Sequence, residues 1–212
     1  MCGIAGLIHR GKSSDVGNEL QLMLQALKHR GPDSTGYALY ADNDGKNFIM
    51  RFKVGENVGE GSTSVNEDDS VYDKRKELVD QMLKNLNATV VKEEKLTPYS
   101  YRYEMKYDQD LMEFSKKIES IESVEILSIG KSLELIKDLG DAQAVSERYD
   151  LAKVKGTHGI GHARMATESG VDIKSAHPFW GYPFSDVSVV HNGQLTNYWN
   201  NRRVLENKGM RF

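Results

Sequence analysis

The stretch Met1-Cys2-Gly3-Ile4-Ala5-Gly6-Leu7-Ile8-His9 opens the chain, and its reading decides the rest. It is short, apolar and rich in small residues, which is the pattern of a buried strand. It also puts the only cysteine among 212 residues at position 2. Methionine aminopeptidase removes a first methionine when the next side chain is small, and cysteine qualifies. Cys2 would then carry a thiol and an α-amine on one residue. The thiolate is the nucleophilic form. An α-amine with an ordinary pKa of about 7.7–8.0 can act as its general base, directly or through water. Gly3 lets the backbone approach a substrate closely. A cysteine near a terminus by chance is the alternative, and these nine residues do not separate the two.

Working outward, Ser13, Ser14 and Asp15 can cap a helix whose apolar face is Leu20, Met23, Leu24 and Leu27. Gly31 and Pro32 close it, with Lys28, His29 and Arg30 in the last turn. GYALY and NFIMRFKV, separated by Asp42 to Gly45, read as a β-hairpin. The texture changes at Gly55, where GENVGEGSTSVNEDDS reads as a polar loop. Beyond it, helices are expected over Glu77–Leu86 and around Leu111, Phe114 and Ile118. TVVKEEKLTPYSYRYEMKY is expected to be extended, VEILSIG a strand and SLELIKDLG a helix. The first texture returns near Gly156 with GTHGIGHARMAT, SAHPFW and VSVVHNG, followed by a helix from Asn197 to Lys208. The expected division is therefore a core from residues 1–54 and 151–212, with an α+β insertion at 55–150 packed outside it.

Composition excludes more than it identifies. Hydrophobic residues at 39% and charged residues at 28% describe an ordinary globular chain. A formal net charge of −3 calls for neither nucleic acid nor an anionic membrane. No apolar run approaches the roughly 18 residues of a membrane span, and the N-terminus turns polar too soon for a signal peptide. One cysteine forbids a disulfide within the chain, which fits a reducing, cytoplasmic setting. His158, His162, His177 and His191 invite a metal reading, but no Cys/His or HExxH spacing supports one, so no metal is expected. Gly55, Gly59 and Gly61 lack the context of a phosphate loop. Asn87-Ala88-Thr89 matches a glycosylation sequon, which has no meaning without secretion.

Three later motifs carry chemistry. HRGPDSTG, through Gly36, follows the first helix, and a helix stop with a turn would account for it. GHARMATESG sets Arg164 in an apolar, strand-like run, where an unpaired charge would be expensive. Its planar fork suits a carboxylate, from a substrate or from a structural ion pair. VVHNGQLTN delivers Asn192-Gly193 at the end of a strand. That pair is commonly a hairpin turn; alternatively, the amide and the glycine N–H converge on the oxyanion of acyl transfer.

MCGIAG, HRGPDSTG, GHARMAT, AHPF and VVHNG, in this order, resemble the class II glutamine amidotransferases, the N-terminal-nucleophile family. The resemblance covers residues 2–54 and 156–212. SAHPFW and the IKDLG stretch look more like the glutamate-synthase-type branch. The resemblance implies a four-layer αββα sandwich of two mainly antiparallel sheets. It implies that Cys2 attacks the side-chain amide of glutamine, forms a γ-glutamyl thioester and releases ammonia to a partner synthase domain or subunit. Arg30 would orient the N-terminal residue and the glutamine site. Arg164 would bind the α-carboxylate, with Thr167 adding hydrogen bonds. Asn192 and Gly193 would form the oxyanion hole, and the Gly193 carbonyl would face the α-amine. Nothing in these residues would bind a cofactor.

Two departures from the family stand out. Its usual aspartate for the α-amine lies downstream of the Asn-Gly motif, after a strand that here begins only near Met210. The expectation is a core incomplete at its C-terminal end, or a carboxylate supplied elsewhere. Met165 and Glu168 stand where the sugar-phosphate branch has Trp and His, which argues against that branch. An amidase acting on another amide, and a catalytically silent regulatory subunit with the same fold, are the competing readings. Arg164 with Asn192-Gly193 favours glutamine, because a free amino acid needs a carboxylate clamp.

Overall fold

The computed structural model describes residues 2–56, 68–165, 173–193 and 195–210. The chain is a mixed α+β fold with antiparallel sheets. Its elements are β1 (Gly3–Ile8), α1 (Val16–Ala26), β2 (Ser34–Ala41), β3 (Phe48–Lys53), α2 (Asp69–Asn85), β4 (Thr89–Thr97) and β5 (Ser100–Lys106). There follow α3 (Leu111–Ile118), β6 (Glu125–Gly130), β7 (Leu133–Leu139), α4 (Ala142–Arg148), β8 (Gly156–Arg164), β9 (Phe179–Trp180), β10 (Ser188–Val189) and α5 (Tyr198–Glu206). One sheet has the order β1-β8-β2-β7, a second β4-β5-β3-β6, and β9 pairs with β10.

Local chemistry starts the helices. Asp68, Asp110 and Asp141 cap α2, α3 and α4, each accepting from a backbone N–H of the first turn, a contact typically worth about 1 kcal/mol. At α1 the expected cap takes another form. Asp15 makes no side-chain cap; instead Ser14 Oγ donates to Glu19, whose other oxygen lies 2.9 Å from His9 Nε2. Its buried face is Val16, Gly17, Leu20 and Leu24. Met23, expected to be buried, is exposed, because it falls beside the i, i+4, i+8 row that Val16, Leu20 and Leu24 define.

Packing orders the elements into layers. Helices α1 and α4 lie on the first sheet, where Val16, Leu20, Leu24 and Val145 meet Tyr37, Leu39 and Ile136. Helices α2 and α3 lie on the second, where Tyr72, Val79, Leu83, Phe114 and Ile118 meet Met50, Phe52, Tyr101 and Tyr103. This second core extends to Ala38, Leu133 and Leu135 of the first sheet. A buried ion cluster also ties the sheets together. Glu134 of β7 accepts from Arg51 Nε of β3 at 2.9 Å and from Arg102 of β5 at 2.8 and 3.0 Å.

Three expectations are corrected. GYALY and NFIMRFKV do not form a hairpin: β2 bonds β7 and β8, whereas β3 bonds β5 and β6. The turn at Asp42–Gly45 reverses the chain, but it does so while stepping from one sheet to the other. SLELIKDLG is not a helix but β7, every residue of which is buried. Burial on both sides removes the alternation that marks a strand, and the ion partners of Glu134, Lys137 and Asp138 make charge tolerable there. Nor does the 55–150 segment pack outside the sheets, since it supplies β4, β5 and β6 to one and β7 to the other. Of the loop expected from Gly55, residues 57–67 lie outside the described residues. α4 had no sequence expectation.

Candidate functional site

Three elements converge on Cys2. Strand β1 runs antiparallel to β8 in a register pairing Gly3 with Ala163, which brings Cys2 level with the end of β8. There Cys2 is half-buried, its Sγ 3.8 Å from the Met165 carbonyl oxygen. The segment after β10 arrives from the other side, and Asn192 Nδ2 donates to the Cys2 carbonyl at 3.0 Å. Residues 190 positions apart thus share one hydrogen bond. An amide nitrogen carries two N–H groups, so this bond leaves Asn192 a second donor.

Arg164 ends β8 with only 7% of its surface exposed. Its backbone is fixed by pairing with Ser34 and by Asp33, whose N–H donates to the Arg164 carbonyl at 3.1 Å. Arg30 ends a 3-10 turn, Lys28–Arg30, and is half-buried. The next residue, Gly31, lies so close to the Ala163 carbonyl that a Cβ there would sit 2.5 Å from it. Gly193 has φ +153°, in the region that favours glycine, with the His191 imidazole folded over it. Thr167 and Glu168 lie outside the described residues. The structure therefore gathers Cys2, Asn192, Gly193, Arg164 and the backbone at Arg30 around one end of the first sheet.

Two histidines missing from the expected site border it. In GTHGIGHAR the even positions share one face, so His162 lies on the same face of β8 as Arg164. Glycine and alanine on the odd positions let α1 approach the other face, with Leu24 against Gly161. That alternation was the available signal. His162 is 2% exposed, and its ring centroid is 4.9 Å from that of His177. His177 is seated on β2 at Gly36, where a Cβ would meet the His177 carbonyl oxygen at 2.1 Å. Burial first, then the positive charge of Arg164, pushes His162 down to about 4. Burial, then His162 and Lys137, does the same to His177, also to about 4. Both imidazoles are neutral at neutral pH. His158, further along the same face, is stacked on Tyr40 at 3.9 Å and lies away from the cysteine. Among the described residues, no group of three or more His, Cys, Asp or Glu side chains is arranged to hold a metal ion.

A buried cluster of ion pairs adjoins His177. Lys137 Nζ, buried, lies 3.3 Å from Glu125, which also pairs with the buried Lys53 at 3.1 Å. Lys137 also donates to the Lys174 carbonyl and lies over the Phe179 ring. A thiol, amide donors and a buried guanidinium together suit acyl transfer from an amide whose substrate carries a carboxylate.

No family model matches the chain. Over its whole length it is 39% identical to a protein of Methanothermobacter thermautotrophicus, named provisionally as a glutamine amidotransferase, of which it covers 67%. It is 32% identical, again over its whole length, to the glutamine amidotransferase-like protein GlxB of Rhizobium meliloti, covering 65% of it. Over 48% of the chain it is 34% identical to a glutamine–fructose-6-phosphate aminotransferase of M. thermautotrophicus, covering 18% of that protein. The chain belongs to the glutamine amidotransferase family. It spans about two thirds of the length of its two full-length relatives. Among the described residues, no helix is long and apolar enough to cross a membrane.

Proposed function

We propose that this chain is a class II, N-terminal-nucleophile glutamine amidotransferase domain that hydrolyses glutamine to glutamate and ammonia. The observation that carries the reading is the hydrogen bond from Asn192 to Cys2, which sets an amide donor beside the one thiol of the chain. With Met1 removed, the Cys2 α-amine takes the thiol proton and the sulfur adds to the glutamine side-chain carbonyl carbon. The oxyanion forms against the free Asn192 N–H and the Gly193 N–H. Collapse breaks the C–N bond; the amine returns the proton to the leaving nitrogen, and ammonia departs. Water then hydrolyses the γ-glutamyl thioester to glutamate and regenerates Cys2.

Arg164 holds the substrate α-carboxylate, Thr167 adds hydrogen bonds, and Arg30 orients the N-terminal residue. The two helix-covered sheets are read as the αββα sandwich of that family. Ammonia passes to a synthase domain or subunit, since free ammonia would be lost to protonation and diffusion. The glutamate-synthase-like branch is the assignment that SAHPFW and IKDLG favour. The test is ammonia release from glutamine by wild type and by Cys2→Ala. Release by the wild type alone is expected. Equal release by both would end the mechanism. Release from other amides but not from glutamine would identify a different amidase, and no release from any amide a silent subunit.

A further inference from the structure

His162 is a buried polar group without a well-formed hydrogen bond among the described residues. Neither of its ring nitrogens makes a hydrogen bond of good geometry there, although the residue is only 2% exposed. Buried polar groups are nearly always satisfied, and each exception calls for a reason. Its surroundings supply one. His162 lies two residues from Arg164 on the same face of β8, between Ile4 of β1 and Gly36 of β2. The His191 backbone acts on the ring as a weak hydrogen bond that raises its affinity for a proton, but falls short of full hydrogen-bond geometry. His191 immediately precedes Asn192 and Gly193. The other charged or titratable groups that bear on the pair are His177 before β9, Arg164, the His191 ring and, towards His177, Lys137 of β7.

We propose that His162 is a positioning residue of the glutamine site: when glutamine binds, its ring N–H donates to the main-chain carbonyl of His191 and fixes the Asn192–Gly193 turn over Cys2. The inference rests on the glutaminase reading above. Arg164 and His162 are rigidly spaced on one strand, so a substrate held by Arg164 and a turn held by His162 share one frame. The Asn192–Gly193 turn is exposed, and without such a contact its donors would be poorly fixed when the oxyanion forms. His162 thereby acts through Asn192 and Gly193 and does not touch the substrate.

The test compares His162→Leu, His162→Asn and His162→Gln with wild type for glutamine hydrolysis and melting temperature. An oxyanion donor acts in the transition state, so its misplacement lowers kcat more than it raises KM. The leucine variant is expected to lose about tenfold or more in kcat with KM within about threefold. At least one amide variant, which restores an N–H donor, should recover to within about threefold of wild type. Leucine with wild-type kcat, or folded amide variants both as impaired as leucine, would overturn the proposal. Should the leucine variant fail to fold, the amide variants still decide it. A second measurement needs no variant at His162: Cys2→Ala protein with 15N-labelled histidine, titrated with glutamine, should gain an exchange-protected His162 ring N–H. A bound complex without that signal would overturn the proposal. Wild type without glutaminase activity would instead sink the underlying reading, whereas an active wild type insensitive to His162→Leu sinks only this inference.

Discussion

Arg164 tests the chemistry at the scale of one side chain. Replacing it with lysine keeps the charge and loses the two-pronged geometry that a carboxylate accepts. Breaking a buried charge-assisted pair costs on the order of 2–5 kcal/mol, and about 1.4 kcal/mol is a factor of ten. Arg164→Lys should therefore weaken apparent glutamine affinity at least about tenfold, read from glutamine kinetics beside a melting curve. A destabilised variant with near-normal affinity would remove Arg164 from the site and leave it a structural ion pair. Gly193 gives a second test. Its φ of +153° is open to few side chains, and Gly193→Ala forces the turn out of a conformation that costs roughly 1–3 kcal/mol to hold otherwise. Glutaminase kcat should fall about tenfold or more while the melting temperature barely moves, since the turn is exposed. Unchanged kcat would mean that this turn does not bear on the oxyanion.

Among the elements, α1 offers a case where two effects oppose. Glycine inside a helix usually costs about 1 kcal/mol relative to alanine, so Gly17→Ala would stabilise a free helix. Here the added Cβ would sit 1.9 Å from the Leu151 carbonyl oxygen. Overpacking of that kind typically costs 1–3 kcal/mol, and the obstacle is backbone, which cannot swing aside. Gly17→Ala should lower stability in urea unfolding; a rise would mean that α1 and the 151–153 turn move apart freely. The same element illustrates what a sequence discloses. Leu20 and Leu24 were legible because helical periodicity depends on neighbours a turn away, and α2, α3 and α5 were legible for the same reason. The partners of β2 and β3 were not, because a four-residue turn records that the chain reverses and not which strand it joins. SLELIKDLG misled because the partners that neutralise Glu134 lie on β3 and β5, 83 and 32 residues away. Within the site, Cys2, Arg164 and Asn192 were legible as motifs. His162 and His177 stood out only as members of a metal set, since their packing depends on Gly36 and on strand pairing.

Over the whole molecule, pH acts through groups whose ionisation differs between the folded and unfolded chain. His162 and His177 fall from an ordinary 6.5 to about 4 in the fold. The unfolded chain takes their protons first, so stability is present above 6.5 and is lost as pH falls from 6.5 to about 4. The slope is up to about 1.4 kcal/mol per pH unit for a fully buried imidazole, and less for the half-buried His177. Glu134 acts lower down. Burial alone would raise its carboxyl, but Arg51 and Arg102 outweigh burial and bring it from 4.5 to about 2. Its contribution is complete above 4.5 and is lost as pH falls towards 2. Urea unfolding at pH 7, 6 and 5 should show a steady decline, above the range in which Glu134 takes its proton. A flat profile over that interval would contradict neutral imidazoles at the site.

The pairing of β1 with β8 also has a consequence in time. β1 lies at the edge of its sheet and bonds only β8 among the described residues. Ile8 waits 150 residues for His158, and Gly3 waits 160 for Ala163. At synthesis rates of about 5–20 residues per second, that interval lasts about 8–30 s. For that long the nascent N-terminus has no strand to join, and an aminopeptidase working at the ribosome meets Met1 on an open, unpaired segment. Once β8 emerges and the sheet closes, Cys2 lies level with the end of β8 and accepts a hydrogen bond from Asn192. Removal of the first residue, which the proposed mechanism requires, would then fall during translation, and slow or overloaded processing would trap mature-looking chains that still carry Met1.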